Sequence, residues 1–316
     1  MRGGDSRVRS LVIGSRGSRL ALWQAGWLRA RMEQAGRAAR IEIIHTSGDR
    51  FLERPLASMG GKGVFVKEIE EALLAGTIDL AAHSLKDLPT AQPEGLRIAC
   101  VPLREDPRDV LLARGAPGLA GLREGAVVGT GSPRRACQIR ALRSDLETRE
   151  LRGNVDTRLA KLRRGDYDAI LLARAGLSRL GIDVEGTLLD YDQMIPAAGQ
   201  GAMAIEIRAD DRELEELLGP HHHPATAAAV AAERAFLRGL GGGCQAPIAA
   251  IGEVDGPVLV LRGLVAGPGG RPLLKERREG AVAEAEALGL ALAEALLARG
   301  AGTFLQAPAA PPPEAP

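Results

Sequence analysis

The chain has 316 residues, a formal net charge of +1, 45% hydrophobic and 26% charged residues, and 3% aromatic residues. Such a length outgrows a single hydrophobic core and implies more than one domain. Near-neutral charge with few rings to stack on bases excludes a nucleic-acid-coating protein, and no apolar run reaches the roughly 18 residues that a membrane span requires. The opening MRGGDSRVRS lacks the apolar stretch and small-residue cleavage site of a secretory leader, which points to the cytoplasm.

Short strand-like runs alternate with helical patterns through the first part of the chain. LVIG (11–14) precedes a helix over 19–35, IEIIHT (41–46) precedes a helix over 64–75, and IDLAAHS (78–84) follows. This order predicts an α/β unit with parallel or mixed strands. Ser15-Arg16-Gly17-Ser18 forms the first turn, with Ser18 placed to cap the helix and backbone N–H groups aimed at an anion. A Pro- and Gly-bearing stretch near 102–121 interrupts the pattern, which restarts at AVVGTG (126–131) and enters a helix over 134–143 through Ser132-Pro133-Arg134-Arg135. LRGNVDTRLAKL (151–162) reads as loop into helix, DYDAILLARAGLSRLG (166–181) as buried strand and short helix, and IPAAGQGAMAIEIR (195–208) as a crossing strand behind hinge-like glycines. A polar linker with His221, His222 and His223 leads to a smaller α+β unit: a helix over 225–239, the loop GLGGGCQAP, strands at 248–254 and 258–265, and a helix over 281–299. The tail from Gln306 to Pro316 is rich in Ala and Pro and too poor in apolar content to order itself.

Only Lys62, Lys67, Lys86, Lys161 and Lys275 among the 41 basic residues are lysines. Composition alone could produce that arginine bias, so clustering is the informative part. Arg16, the pair Arg134 and Arg135, and Arg152 with Arg158 all occur in glycine-rich turns ahead of helices, where guanidinium forks, backbone donors and the helix dipole act on the same anion. A ligand with several carboxylates or phosphates suits them. Asp87, bracketed by Lys86 and Pro89 just after a strand, is placed to face a cleft and handle a proton or a cation.

Three cysteines cannot complete an even disulfide framework and have no zinc spacing. Cys100 and Cys137 read as packed thiols, whereas three consecutive glycines before Cys244 allow close approach of a bulky group and mark it for attachment. His45, His83 and the 221–223 run occupy no motif that would make them a cysteine's base, so a cysteine hydrolase is disfavoured. His83 reads as a hydrogen-bonded structural residue and the histidine run as a solvated linker; no metal site is expected.

GSRGSRLALWQA, GGKGVFVKEIE, AHSLKDLP, GTGSPRRACQ, LRGNVDTRL, AGLSRLG, PAAGQGAMAIE and GGGCQAPI together resemble, in order, the signature segments of the hydroxymethylbilane synthase (porphobilinogen deaminase) family over about residues 11–300. The resemblance implies an α/β fold: two domains like those of periplasmic binding proteins forming a cleft, plus a smaller α+β C-terminal domain. Expected boundaries are 8–103 plus 202–219, 104–201 and 220–306, with 307–316 as a disordered tail. It implies a transferase that condenses four porphobilinogen molecules head to tail, with loss of ammonia, on a dipyrromethane primer held by Cys244 through a thioether, then releases linear hydroxymethylbilane by hydrolysis. Positive charge would develop on a pyrrole, with Asp87 as the catalytic carboxylate. By the same resemblance Lys86, Asp87, Ser132, Arg134, Arg135 and Arg158 bind the cofactor, Arg16, Ser18, Arg152, Arg179 and Gln200 bind substrate, and Lys62 belongs to a mobile flap. The family is usually monomeric, and no nucleic-acid or membrane partner is expected. A non-catalytic two-lobed anion-binding protein is the alternative, and it leaves GGGCQ without a role.

Overall fold

The computed structural model describes residues 9–47, 66–241 and 247–305. Three sheets organise them. The first has the order β2-β1-β3-β10-β4, built from β1 (Leu11–Ser15), β2 (Ala39–Ile43), β3 (Leu80–Ser84), β4 (Leu96–Cys100) and β10 (Met203–Arg208). The second has the order β7-β6-β8-β5-β9, built from β5 (Asp109–Ala113), β6 (Val127–Gly129), β7 (Glu147–Arg149), β8 (Ala169–Ala173) and β9 (Thr187–Leu189). Each begins with three parallel strands and continues into an antiparallel strand that arrives from the other lobe, β10 in the first and β5 in the second. The central strands are buried on both faces, as expected where helices cover a largely parallel sheet.

Helices α1 (Arg19–Gln34) and α2 (Lys67–Leu74) cover the first sheet, and α3 (Pro133–Leu142), α4 (Val155–Arg164) and α5 (Arg174–Arg179) follow the strands of the second. Local chemistry starts them where it should. Ser18, Ser132 and Asn154 each accept a backbone N–H of the first turn, from Ala21, Arg135 and Thr157 respectively, and Pro133 occupies the opening turn of α3. After α6 (Arg212–Leu218), helix α7 (Pro224–Gly239) is capped by His223, which accepts the Thr226 N–H. His222 accepts the Val101 N–H at 3.2 Å, so two members of the histidine run have structural contacts.

The third unit packs α7 and α8 (Ala285–Ala298) on the antiparallel sheet β11-β12-β13, formed by Ile248–Asp255, Val258–Ala266 and Leu273–Ala281; a final short helix, α9, spans Ala301–Leu305. Two expectations are corrected here. The helix foreseen over 281–299 starts at Ala285, because Leu273–Ala281 is an edge strand whose unbroken run of charged residues conceals it. The supposed break near 102–121 contains β5, an interior strand of the second sheet.

Two chain segments cross between the lobes, and they touch. The Glu105 N–H donates to the Gly201 carbonyl at 3.2 Å. Gly201 has φ +82°, and a Cβ there would come within 2.3 Å of the Glu105 carbonyl oxygen, so only glycine fits. Beside this contact, Arg104 donates to both oxygens of Glu233 on α7, at 2.5 and 3.1 Å, and to the Gln200 carbonyl at 2.8 Å. Glu233 is fully buried and also accepts the N–H groups of Gly199 and Gly252, so one carboxylate ties together both crossings and the third unit. Removing its charge strands Arg104 in the interior, a defect that costs about 3–5 kcal/mol. Glu233→Gln is therefore expected to lower the denaturation midpoint sharply in a chemical-unfolding titration; an unchanged midpoint would contradict this account of the hinge.

Candidate functional site

The residues singled out from sequence follow the carboxyl ends of parallel strands. Arg16 and Ser18 follow β1, Lys86 and Asp87 follow β3, Ser132, Arg134 and Arg135 follow β6, Arg152 and Arg158 follow β7, and Arg179 follows β8. That edge of an open α/β sheet is where loops and helix N-termini converge on a ligand. Among the contacts that bring the lobes together, Arg19 pairs with Asp156 at 2.6 Å, and the Arg179 guanidinium lies 5.6 Å from the centre of the Trp23 ring.

In the first lobe a pocket is lined by Arg16, Ser18, Gln24, His83, Ser84 and Asp87. Asp87 is exposed at the end of a 3-10 turn over Leu85–Asp87, whose start is held by the Leu85 N–H donating to the Ala202 carbonyl. His83 is buried with its Nε2 3.2 Å from a carboxylate oxygen of Glu206, but neither that nitrogen nor the Glu206 oxygens makes a hydrogen bond among the described residues, unlike the hydrogen-bonded histidine expected from sequence. Lys86 keeps part of its surface open while its ammonium end lies deep. Burial, opposed by Asp87 and reinforced by Arg135, pushes it down to about 8.

In the second lobe the arginines are not solvated side chains. Arg134 and Arg135 are 4% and 6% exposed, and both bind Asp109, a fully buried carboxylate on β5. Arg134 donates to Asp109 at 2.7 Å and to the Ile195 carbonyl at 2.8 Å; Arg135 donates to Asp109 at 2.7 and 3.1 Å and to the Leu171 carbonyl at 3.0 Å. The two guanidinium groups hold Asp109 well below the usual carboxylate range despite its burial. Gln200, 1% exposed, sends its amide nitrogen to Asp109 at 2.9 Å and to the Pro107 carbonyl at 2.8 Å, and accepts Lys86 at 3.4 Å. Its amide thus joins the two lobes' cations from behind.

Positive charge is nevertheless in excess. Arg158 donates through Nε to the Gly153 carbonyl, and its basicity falls to about 10 because it is buried and because the charges nearest it, Arg135 and Arg152, are also positive. Arg179, donating to the Gly201 carbonyl at 2.7 Å, is likewise pushed down by burial to about 10. Arg152 leans on Glu150 at 2.7 Å. The Nε of Arg134 is buried without a hydrogen-bond partner among the described residues. Cations whose charged forms are penalised by burial, with a donor left over, fit a group bearing several carboxylates.

Comparison with known proteins agrees. Residues 11–216 match the family model "Porphobilinogen deaminase, dipyromethane cofactor binding domain", and residues 227–298 match "Porphobilinogen deaminase, C-terminal domain". The chain belongs to the porphobilinogen deaminase family. A porphobilinogen deaminase of Syntrophobacter fumaroxidans is 50% identical over 301 residues, covering 94% of this chain and 97% of that protein. One from Roseiflexus sp. is 50% identical over 299 residues, covering 94% and 98%. Among solved structures, a periplasmic substrate-binding protein from Coxiella burnetii is 14% identical over 71% of this chain and 96% of that chain, with a TM-score of 0.41.

Lys62 and Cys244 lie outside the described residues. Cys100 and Cys137 are buried, with burial pushing the Cys100 thiol up to about 12, which suits packed rather than reactive thiols. Among the described residues no group of His, Cys, Asp and Glu could hold a metal ion. Sequence reading missed Asp109, Arg104 and Glu233. The REDPRD run at 104–109 contains two of them, but alternating charges look like a surface turn until a sheet is built around them.

Lys86 supplies a pH test. Its folded value near 8, below the ordinary 10.5, means that the unfolded chain binds the extra proton between those limits. Stability contributed by Lys86 is therefore poorest below about pH 8 and recovers as pH rises toward 10.5. In protein prepared without bound cofactor, Lys86→Met should raise the melting temperature at pH 7, with an advantage that shrinks across that window. A constant difference at every pH would refute the assignment.

Proposed function

We propose that the cleft edge described above is where this chain carries out the family's reaction, as a hydroxymethylbilane synthase joining four porphobilinogen molecules. The observation that carries this reading is the excess of buried positive charge around Lys86, Arg134, Arg135 and Arg158, next to an exposed carboxylate on Asp87. Dipyrromethane has two pyrrole rings with two carboxylates on each, and when bound it supplies the nucleophilic pyrrole carbon from which the chain grows. Lys86, Arg134, Arg135 and Arg158, with the hydroxyl of Ser132, would hold those carboxylates. Arg16, Ser18, Arg152 and Arg179 would take the carboxylates of incoming porphobilinogen. Gln200 would act from behind them, since its amide is engaged within the protein.

Asp87 is the group available for the chemistry. Its carboxylate can sit against a pyrrole N–H, offset the positive charge that develops as ammonia leaves, and move a proton at its own oxygen. Cys244, preceded by three glycines, is proposed as the thioether attachment point, and Lys62 as part of a covering flap. No helix among the described residues is long and apolar enough to cross a membrane. We further propose, from the family resemblance, a cytoplasmic monomer whose partner is its small-molecule substrate porphobilinogen and which engages neither nucleic acid nor membrane.

Intact-mass measurement tests the central claim. The purified protein should carry an added mass equal to two linked pyrroles, and Cys244→Ser should lack it. An unmodified parent that stays unmodified after incubation with porphobilinogen would overturn the reading. A second outcome concerns Asp87→Asn, which should keep the added mass while kcat for porphobilinogen consumption falls by about a hundredfold or more, the scale of a lost acid–base group.

A further inference from the structure

Resting on the reading that the cleft holds the primer, we propose that Asp109 is a positioning residue: from β5 it fixes Arg134 and Arg135 in one orientation and, through the Gln200 amide, ties them to Lys86 across the hinge. Nothing in the chemistry of the reaction demands an anion here. A carboxylate inside a site built for carboxylates repels the ligand, so its presence needs another reason.

Geometry supplies that reason. Asp109 is fully buried, and its two oxygens receive three donors from Arg134 and Arg135 and one from Gln200, at 2.7 to 3.1 Å. Each arginine also donates to a carbonyl on a different strand or crossing segment, so neither guanidinium can rotate without breaking a buried contact. Fixed forks lose little entropy when a ligand arrives, which is how preorganisation gains affinity. Without Asp109, two guanidinium groups and the Lys86 ammonium would share the region with no buried anion to separate them.

The Gln200 bridge gives the arrangement its direction. Its nitrogen faces Asp109 and the Pro107 carbonyl, and its oxygen faces Lys86, which directly precedes Asp87. Charged groups that act on Lys86 are Asp87, Arg135, Asp109 and Arg134, so Asp109 helps to keep the ammonium protonated near neutral pH. Positioning of the second lobe's arginines and protonation of the first lobe's lysine thus depend on the same carboxylate.

The test compares parent, Asp109→Asn and Gln200→Met, each purified as holoenzyme. Asp109→Asn should carry the two-pyrrole mass on a smaller fraction of molecules and show a KM for porphobilinogen raised on the order of tenfold, with a smaller change in kcat, as expected when charge-assisted hydrogen bonds are disordered. The alkaline limb of its activity profile should move to lower pH, because Lys86 loses a carboxylate that favours its charged form. A merely structural role would lower stability and the fraction of active protein but leave the KM and the limb in place. Asp109→Asn risks misfolding because it strands buried arginines, and Gln200→Met leaves no charge unpaired. That variant should raise KM and shift the limb while retaining the primer mass. If either folded variant keeps the parent's KM and alkaline limb, the proposal fails. A parent without the two-pyrrole mass would instead sink the primer reading, an outcome separate from any difference among variants.

Discussion

A ligand that brings many carboxylates into a cleft can be accommodated only if positive charge has been buried there beforehand, and burying positive charge opposes folding. Everything around the lobe junction reflects that conflict. Lys86, Arg158 and Arg179 are all less basic than free side chains because burial penalises their charged forms, and for Arg158 the nearest charges add to the penalty. Two internal carboxylates, Asp109 and Glu233, compensate part of the buried positive charge through Arg134, Arg135 and Arg104. A protein optimised for stability alone would have replaced several of these cations with apolar groups.

Much of this was legible in the sequence because the chemistry is local. Strand, glycine-rich turn and capped helix recur as LVIGSRGS, AVVGTGSPRR and LRGNVDTR, and each places its arginine near the carboxyl end of a strand. Capping serines and asparagine, the proline at the start of α3 and the isolated Asp87 are all read from short spacings. What escaped is long-range. Asp109 and Glu233 meet their partners only when segments 25 to 129 residues apart are brought together, and no local spacing encodes that. The edge strand Leu273–Ala281 escaped for a different reason: with Lys, Arg and Glu along most of its length, it shows little of the apolar alternation by which strands are recognised.

The third unit braces both lobes. Its helix α7 delivers Glu233 to the crossing segments and Arg234 to the Leu88–Pro89 turn beyond Asp87, so it grips both crossings and the end of the segment proposed to act in catalysis. A buried charge pair in that position specifies one geometry, because a small displacement leaves Arg104 or Glu233 desolvated and alone. Hydrophobic packing between the same elements would tolerate sliding.

The exchange of strands between lobes has a consequence for synthesis. Among the described residues β4 of the first sheet is hydrogen-bonded only to β10, so residues 96–100 leave the ribosome more than a hundred residues before the strand that pairs with them. Until Met203–Arg208 emerges, β3 presents an open edge. The second lobe has no such delay, since β5 through β9 are contiguous in the chain. Order of emergence and order of completion are thus reversed, and the lobe made first must wait, exposed to wrong partners, for the one made second.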